Sequence, residues 1–287
     1  MINFRQYPAM TKCIIPNGVT LSNTIFENTF NDMTNLQSVT LSNKVTNMSG
    51  TYRNCTSLTT AVCGDKVTNM YGTYNGCTKL TNAVCGPNVT DMSSTYSNCK
   101  NLTTAICGPN VTDMYGAYHN CISLITAVCG PNVTNINNTY RNCKNLTTAV
   151  CGPNVTNMQY SYCNCIKLTT AVCGPNIISI YGTYYNCTNI QGNAYFYSNS
   201  VSNVGNCFYG RSTANRLNIY VHAGTTTNTK VMNTNSMYSL TGSSITWTTD
   251  TTNHCSYNTA QNIYIYHVAN VEAARLANGD PDYMGNL

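Results

Sequence analysis

One interval governs this sequence. Two cysteine series, Cys55, Cys77, Cys99, Cys121, Cys143, Cys165, Cys187 and Cys63, Cys85, Cys107, Cys129, Cys151, Cys173, both advance by 22 residues without an insertion. The surrounding text advances with them. From Leu58 it reads LTTAVCGDKVTNMYGTYNGCTK and from Leu80 LTNAVCGPNVTDMSSTYSNCKN, and the frame returns from Leu102, Leu124, Leu146 and Leu168. The stretch from Leu36 fits with Val39 and Leu41 in apolar slots. After Cys187 the copy from Ile190 decays, and Val201, Val204 and Phe208 outline a last degenerate coil. A Leu-led period of about 20 to 29 residues is the mark of a solenoid in which each repeat is one coil. A coil cannot bury its apolar face alone, so Leu58, Ala61, Cys63, Val67, Met70, Tyr74 and Cys77 must each meet their counterparts above and below.

Within each coil the Ala-Val-Cys triplet is the best strand candidate, and the Gly-Pro-Asn or Gly-Asp-Lys that follows stops it. Met70, Tyr74 and Cys77, spaced by four and three, predict a helical or 3₁₀ return. The expected fold is a repeat solenoid with a parallel β-sheet on one face. If Ala61 and Cys63 point inward, strand alternation sends Val62 outward, together with Val84, Ile106, Val128, Val150 and Val172. Such an apolar row on a polar sheet suits a partner contact. The opposite alternation, with this row inside and Cys at the edge, fits the short triplets equally well. A second set, Tyr71, Ser93, Tyr115, Asn137, Gln159 and Tyr181, changes from coil to coil, which predicts an exposed ridge. Its tyrosines, Tyr71, Tyr115 and Tyr181, could stack on sugars or anchor a protein.

Composition narrows the function classes. Charged residues are 8% of the chain, the net charge is +5, and no Lys or Arg cluster occurs, which argues against nucleic-acid binding. Asn, Thr, Ser and 22 Tyr supply a neutral, hydrogen-bonding surface instead. No segment approaches the roughly 20 apolar residues of a membrane span, so no membrane insertion is expected. Met1 to Thr20 lacks the continuous apolar run of a signal peptide. Seventeen Cys could indicate a disulfide scaffold. Their once-per-coil spacing points instead to packing elements, since free Cys behaves as a small buried hydrophobe.

The search for chemistry returns little. His119, His222, His254 and His267 lie in no catalytic motif, and His119 sits at a varied position where a solvated side chain is expected. Asp65, Asp91 and Asp113 fall in turns and differ in slot, so no carboxylate pair recurs. Cys163-x-Cys165 and His254-Cys255 lack the paired spacing of a zinc site. Catalytic residues, metal ligands and cofactors are therefore not expected. Cys163 breaks the repeat without an evident reason.

The order Leu-x-x-Ala-x-Cys-Gly-x-x-Val-x-x-Met-x-x-Thr-Tyr-x-x-Cys resembles the BspA-type (Treponema-type) leucine-rich repeat, Leu-x-x-Ile-x-Ile-Pro-x-x-Val-x-x-Ile-x-x-Ala-Phe-x-x-Cys. The likeness covers about Leu36 to Cys187. Ala61 and Cys63 stand for the strand Ile pair, Gly64 for Pro, Met70 for Ile and Tyr74 for Phe. These departures shrink the core at the strand and bury a phenol whose hydroxyl needs a partner. The resemblance implies a leucine-rich-repeat array that binds rather than catalyses.

Residues 1–35 then read as an N-terminal cap, 36–212 as the solenoid and 213–287 as a C-terminal capping or attachment module. In the last, Asn218 to Val221, Ser244 to Trp247 and Asn262 to Tyr266 predict strands, Thr225 to Met237 a loop or weak helix, and Val271 to Ala277, ended by Gly279, a helix. The neutral surface, the missing leader and the separate module suit a phage or virus particle component, such as a fibre, tail-tip or head-decoration protein, located in the virion. Its partners would be other structural proteins of the assembly, with a homo-oligomer possible. The alternative is a cell-surface adhesin of the resembling family that binds a host protein or glycan. An enzyme on a repeat scaffold is a minor third reading.

Overall fold

The computed structural model describes residues 4–14, 26–233, 238, 248–250 and 255–280. A 3₁₀ turn at Phe4–Gln6 precedes β1 (Lys12–Ile14), which pairs in parallel with β2 (Ser38–Thr40). Stacked coils follow, held by a ladder on the return segment rather than at the triplet. Parallel bridges run Asn47↔Asn69↔Asp91↔Asp113↔Asn135↔Asn157↔Ser179↔Asn203. Along the return, alternate N–H groups reach the next coil, as in Met70 N to Asp91 O and Tyr74 N to Thr95 O, both 2.9 Å. The N–H groups between them close i to i+3 turns, as in Thr73 N to Met70 O at 3.0 Å. The return is thus a string of turns and not the helical element expected. Left-handed residues make it possible: Asn98, Asn120, Asn142 and Asn164 all have φ of 61° to 63°, and Gly76 takes that slot at 80°.

The core is a set of columns. Leu102, Met114, Tyr118 and Cys121 are all fully buried, as are their counterparts in the neighbouring coils. The rings of Phe30, Tyr52, Tyr74, Tyr96, Tyr118, Tyr140, Tyr162, Tyr184 and Phe208 form one continuous stack, with centroids 5.3–5.8 Å apart and planes within 13° of parallel. Each such pair adds about 0.5–1.5 kcal/mol beyond its burial. The buried thiols cross-link the coils. The Sγ of Cys77 donates to the Tyr52 carbonyl at 3.0 Å, and Cys55 to Cys187 repeat this contact at 2.9–3.1 Å. The repeat cysteines are free thiols, as their spacing leads one to expect.

The expected Ala-Val-Cys strand forms only at β3 (Ala171–Cys173). Of the earlier coils, the first pairs through β2 with β1, and the middle ones offer no more than the bridges Thr104↔Thr126 and Thr126↔Thr148 on this side. The triplet peptide is held within its own coil by a phenol, in β3 as well, where the Tyr184 hydroxyl accepts from Val172 N and donates to Val172 O. The Tyr96 hydroxyl accepts from Val84 N at 2.8 Å and donates to Val84 O at 2.5 Å, and Tyr118 does the same to Ile106 at 3.0 and 2.6 Å. The clamped peptide is thereby satisfied within its own coil. The glycine after Cys is required by close approach rather than by a turn. A Cβ on Gly108 would stand 2.7 Å from Cys85 Sγ and 3.2 Å from the Gly86 carbonyl.

Beyond β3 the chain becomes a regular sheet. It contains β4 (Gly192–Phe196), β5 (Leu217–His222), β6 (Thr248–Asp250), β7 (Cys255–Asn258) and β8 (Ile263–Val268), ordered β3-β4-β5-β8-β7-β6. Pairing is parallel from β3 to β8 and antiparallel from β8 through β7 to β6. Helix α1 (Thr226–Asn233) lies where a loop or weak helix was expected, and α2 (Val271–Asn278) is capped by the Asn270 side chain and by Gly279 at φ 69°. The strand expected over Ser244 to Trp247 lies outside the described residues.

Candidate binding surfaces

The Val row is not the exposed stripe that alternation predicts. Val62, Val84, Ile106, Val128 and Val150 are half-buried, and Val172 in β3 is buried. Val62, Val128 and Val150 pack against the core. Their peptides are turned toward the Tyr hydroxyls, so the triplet does not alternate as a flat strand would.

The ridge is exposed where it carries Tyr71 (52%) and Tyr115 (45%), and half-buried at Tyr181. Its backbone is fixed by the side chain two residues before. Asn69 Oδ1 accepts from Tyr71 N, and Asp113 Oδ1 from Tyr115 N, both at 2.7 Å. Asp91 does the same for Ser93 N at 2.7 Å. Asp91 and Asp113 therefore share a slot and are bridge partners, contrary to the expectation that they differ in slot. Each is spent on a turn rather than aimed at a cleft. The three ridge tyrosines are not brought together, since several coils separate them. Tyr181 instead meets Tyr160 edge-on at 5.4 Å and accepts from Asn206 Nδ2 at 3.0 Å.

Tyr115 stands at a recess of about 220 Å³, lined also by Ser94, Ser97, Gly116, His119, Asn138 and Arg141. His119 is half-buried here rather than solvated, and burial together with the Arg141 guanidinium holds its pKa below the usual value. Arg141 reaches Asn138 Oδ1 at 3.3 Å and lies 5.5 Å from the Tyr160 ring centroid. Its Nε is buried without a partner, and among the described residues it has no ion-pair partner. Cys163 occupies the same slot as His119 and Arg141 and is buried.

A second concavity has the opposite character. A shallow groove of about 970 Å³ is lined by Asn88, Asn110, Asn132, Asn154 and Asn176 facing the Thr68 to Thr156 row. Each of these asparagines donates to a carbonyl of the preceding coil, as in Asn110 Nδ2 to Pro87 O at 2.8 Å. This uniform lining cements the coils. It also accounts for the recurrence of Asn-Val-Thr, as at Asn88-Val89-Thr90 and Asn110-Val111-Thr112, where the Val is buried between the two polar residues.

None of these surfaces assembles a nucleophile with a base. Burial pushes the half-buried thiols Cys63, Cys85, Cys107 and Cys129 up to about 11, so they stay protonated and weakly reactive at neutral pH. Among the described residues no three His, Cys, Asp or Glu side chains cluster as a metal site, and no helix is long and apolar enough to cross a membrane. Sequence reasoning missed the αL asparagine column and the recess. A recurrent Asn before each Cys is a legible signal for the first, whereas the second depends on side chains contributed by adjacent coils.

No curated protein matches this sequence. Two solved structures match at low similarity. A leucine-rich repeat protein from Bacteroides ovatus is 11% identical, with a TM-score of 0.34 over 73% of this chain and 76% of that one. A leucine rich cell surface protein from Faecalibacterium prausnitzii is 16% identical, with a TM-score of 0.41 over 75% and 76%. The BspA type leucine rich repeat region matches in six copies over residues 3–124 and 114–239. With the unbroken coil register and continuous ring stack described above, that coverage makes the chain a member of the BspA-type leucine-rich repeat family.

Proposed function

We propose that this chain is a non-enzymatic recognition protein of the cell-surface adhesin kind, presenting the varied face of its solenoid to a protein or glycan. One contrast carries the reading. Interior Leu, Tyr and Cys recur in coil after coil, whereas the slot after Met or Ile runs Tyr71, Ser93, Tyr115, Asn137, Gln159, Tyr181, exposed at Tyr71 and Tyr115, half-buried at Asn137, Gln159 and Tyr181 and buried at Ser93. A repeat protein is free to vary where it does not pack, and the face it varies is commonly the one that binds. Tyrosines on a backbone held by Asx turns supply rigid amphipathic contacts at low entropic cost. Family membership favours binding over catalysis, and it lends no support to a place in a virion. The half-buried Val row is the weaker contact surface.

The test uses the full chain on a glycan array and on bacterial and host cells read by flow cytometry. Changing Tyr71, Tyr115 and Tyr181 together to Ser, the residue already present at Ser93, should abolish binding while circular dichroism and melting stay unchanged. Binding that survives this triple change would move the contact away from the ridge. Binding to no cell or glycan would remove the recognition reading.

A further inference from the structure

We propose that the recess formed by Tyr115, His119 and Arg141 is a subsite for a carboxylated sugar, a hexuronic or sialic type of acid carried on a glycan. The inference rests on the recognition reading and names the ligand class of one place on the varied face.

The opening comes from the slot of Gly116. Its counterpart Tyr160 lays its ring over the next coil, where a Cβ on Gly182 would meet that ring at 2.5 Å. At Gly116 the nearest atom to such a Cβ is Ser94 Oγ at 3.5 Å, so the junction stays open. The size suits a single ring better than a stretch of polypeptide, since about 220 Å³ lies below the roughly 300–1,000 Å³ of ordinary ligand pockets.

The lining is rich in donors. The asparagine column fixes the amide of Asn142, because its Nδ2 donates to Asn120 Oδ1 and its Oδ1 accepts from Asn164 Nδ2, both at 2.7 Å. His119 Nε2, 3.4 Å from that Nδ2, is therefore the acceptor, and the neutral ring carries its proton on Nδ1. Ser97 Oγ accepts from Asn98 Nδ2 at 3.2 Å, which leaves its own proton free to donate. Arg141 brings a planar, permanently charged fork that matches a carboxylate. No carboxylate lines the recess to neutralise it. The nearby Asp113 has its Oδ1 occupied by Tyr115 N and Asn135 Nδ2. A peptide carboxylate would use the guanidinium alone. A sugar acid would also engage the hydroxyls of Ser94, Ser97 and Tyr115 and the His119 N–H.

The neighbouring coils supply substitutions that the fold already accommodates. Arg141→Ser and His119→Ser copy Ser97, and Gly116→Asn copies Asn138, whose φ of 56° matches the 59° of Gly116. Calorimetric titration at low salt would compare glucuronic acid and N-acetylneuraminic acid with glucose and with an N-acetylated, amidated glutamate. The acids should bind, glucose and the glutamate should bind at least about tenfold more weakly, and added salt should weaken the acids. R141S and G116N should each lose at least about tenfold with unchanged melting. The proposal fails if the native chain binds neither acid, or if both variants bind as the native chain does. It fails equally if the glutamate binds as tightly as the sugar acids, which would mark a peptide-carboxylate site. Loss of this titration with cell binding intact removes the subsite alone, whereas loss of cell binding with the titration intact removes the recognition reading alone.

Discussion

The middle coils and the C-terminal sheet bury similar residues but hold their backbones by different means. From Leu58 to Leu168 the triplet peptide is clamped by a phenol of its own coil, and coil joins coil along the string of turns that follows Met or Ile. From β4 onward the equivalent ring is Phe208, which has no hydroxyl, and β5 pairs with β4 over five residues and with β8 over six. In the sheet the tyrosines sit on the other face, where Tyr195, Tyr220 and Tyr266 stack at 5.0 and 4.8 Å. Clamp and sheet are compatible, since Val172 in β3 carries the Tyr184 clamp and its strand still pairs with β4.

The severest way to break the columns is to empty one. Leu102→Ala removes a fully buried side chain that the coils on both sides rely on, and should cost about 2–5 kcal/mol by urea unfolding. Asn137→Ala, on the ridge of the next coil, should stay within about 0.5 kcal/mol. Equal losses at the two positions would show that columns and ridge are wrongly divided.

Alkali should strike the coils more than the sheet, because the coils carry the thiol columns. Burial raises Cys55 to about 12 and Cys63, Cys85, Cys107 and Cys129 to about 11, against about 8.5 in an unfolded chain. Raised folded values favour the protonated thiol, so their contribution is complete below the unfolded pKa and is lost as pH climbs through the folded values. The melting temperature should be level between about pH 6 and 8 and should fall between about pH 8.5 and 12. A level profile through that upper range would mean that the thiols are not buried as described.

Much of this was legible in the sequence because each inward slot is occupied again one coil later, so the period itself identifies the columns. Leu102, Tyr118 and Cys121 could be placed inside from spacing alone. The Val row could not, since a three-residue triplet does not fix its own alternation and the deciding contact, a hydroxyl twelve positions further on, is not periodic information. The recess was hidden for a related reason. Ser97, His119 and Arg141 belong to successive coils, with Gly116 in the coil of His119, and each looks like ordinary drift within its own slot.

A smaller change tests the clamp directly. Tyr118→Phe keeps the ring in its stack and deletes only the oxygen, leaving the N–H and C=O of Ile106 without their partner. The loss should be about 1–3 kcal/mol, the penalty for buried polar groups left unpaired. A neutral result would mean that water or the neighbouring coil takes over those groups.

The same substitution one column position from the start should have the smallest effect and the opposite sign. Tyr52 occupies the phenol slot of the coil that contains β2, where the clamp position is Thr40, which pairs with Ile14 of β1 instead. Its ring is fully buried between Phe30 and Tyr74, yet among the described residues its hydroxyl has no hydrogen-bond partner. Removing a buried, unpaired oxygen relieves a desolvation cost and leaves the stack in place. Tyr52→Phe should therefore be neutral or stabilising by up to about 1 kcal/mol, where Tyr118→Phe destabilises. Denaturant midpoints of the two variants measured side by side give the answer. If both substitutions destabilise alike, the hydroxyl of Tyr52 has a partner after all, and the first coil is clamped like the rest rather than held by its strand.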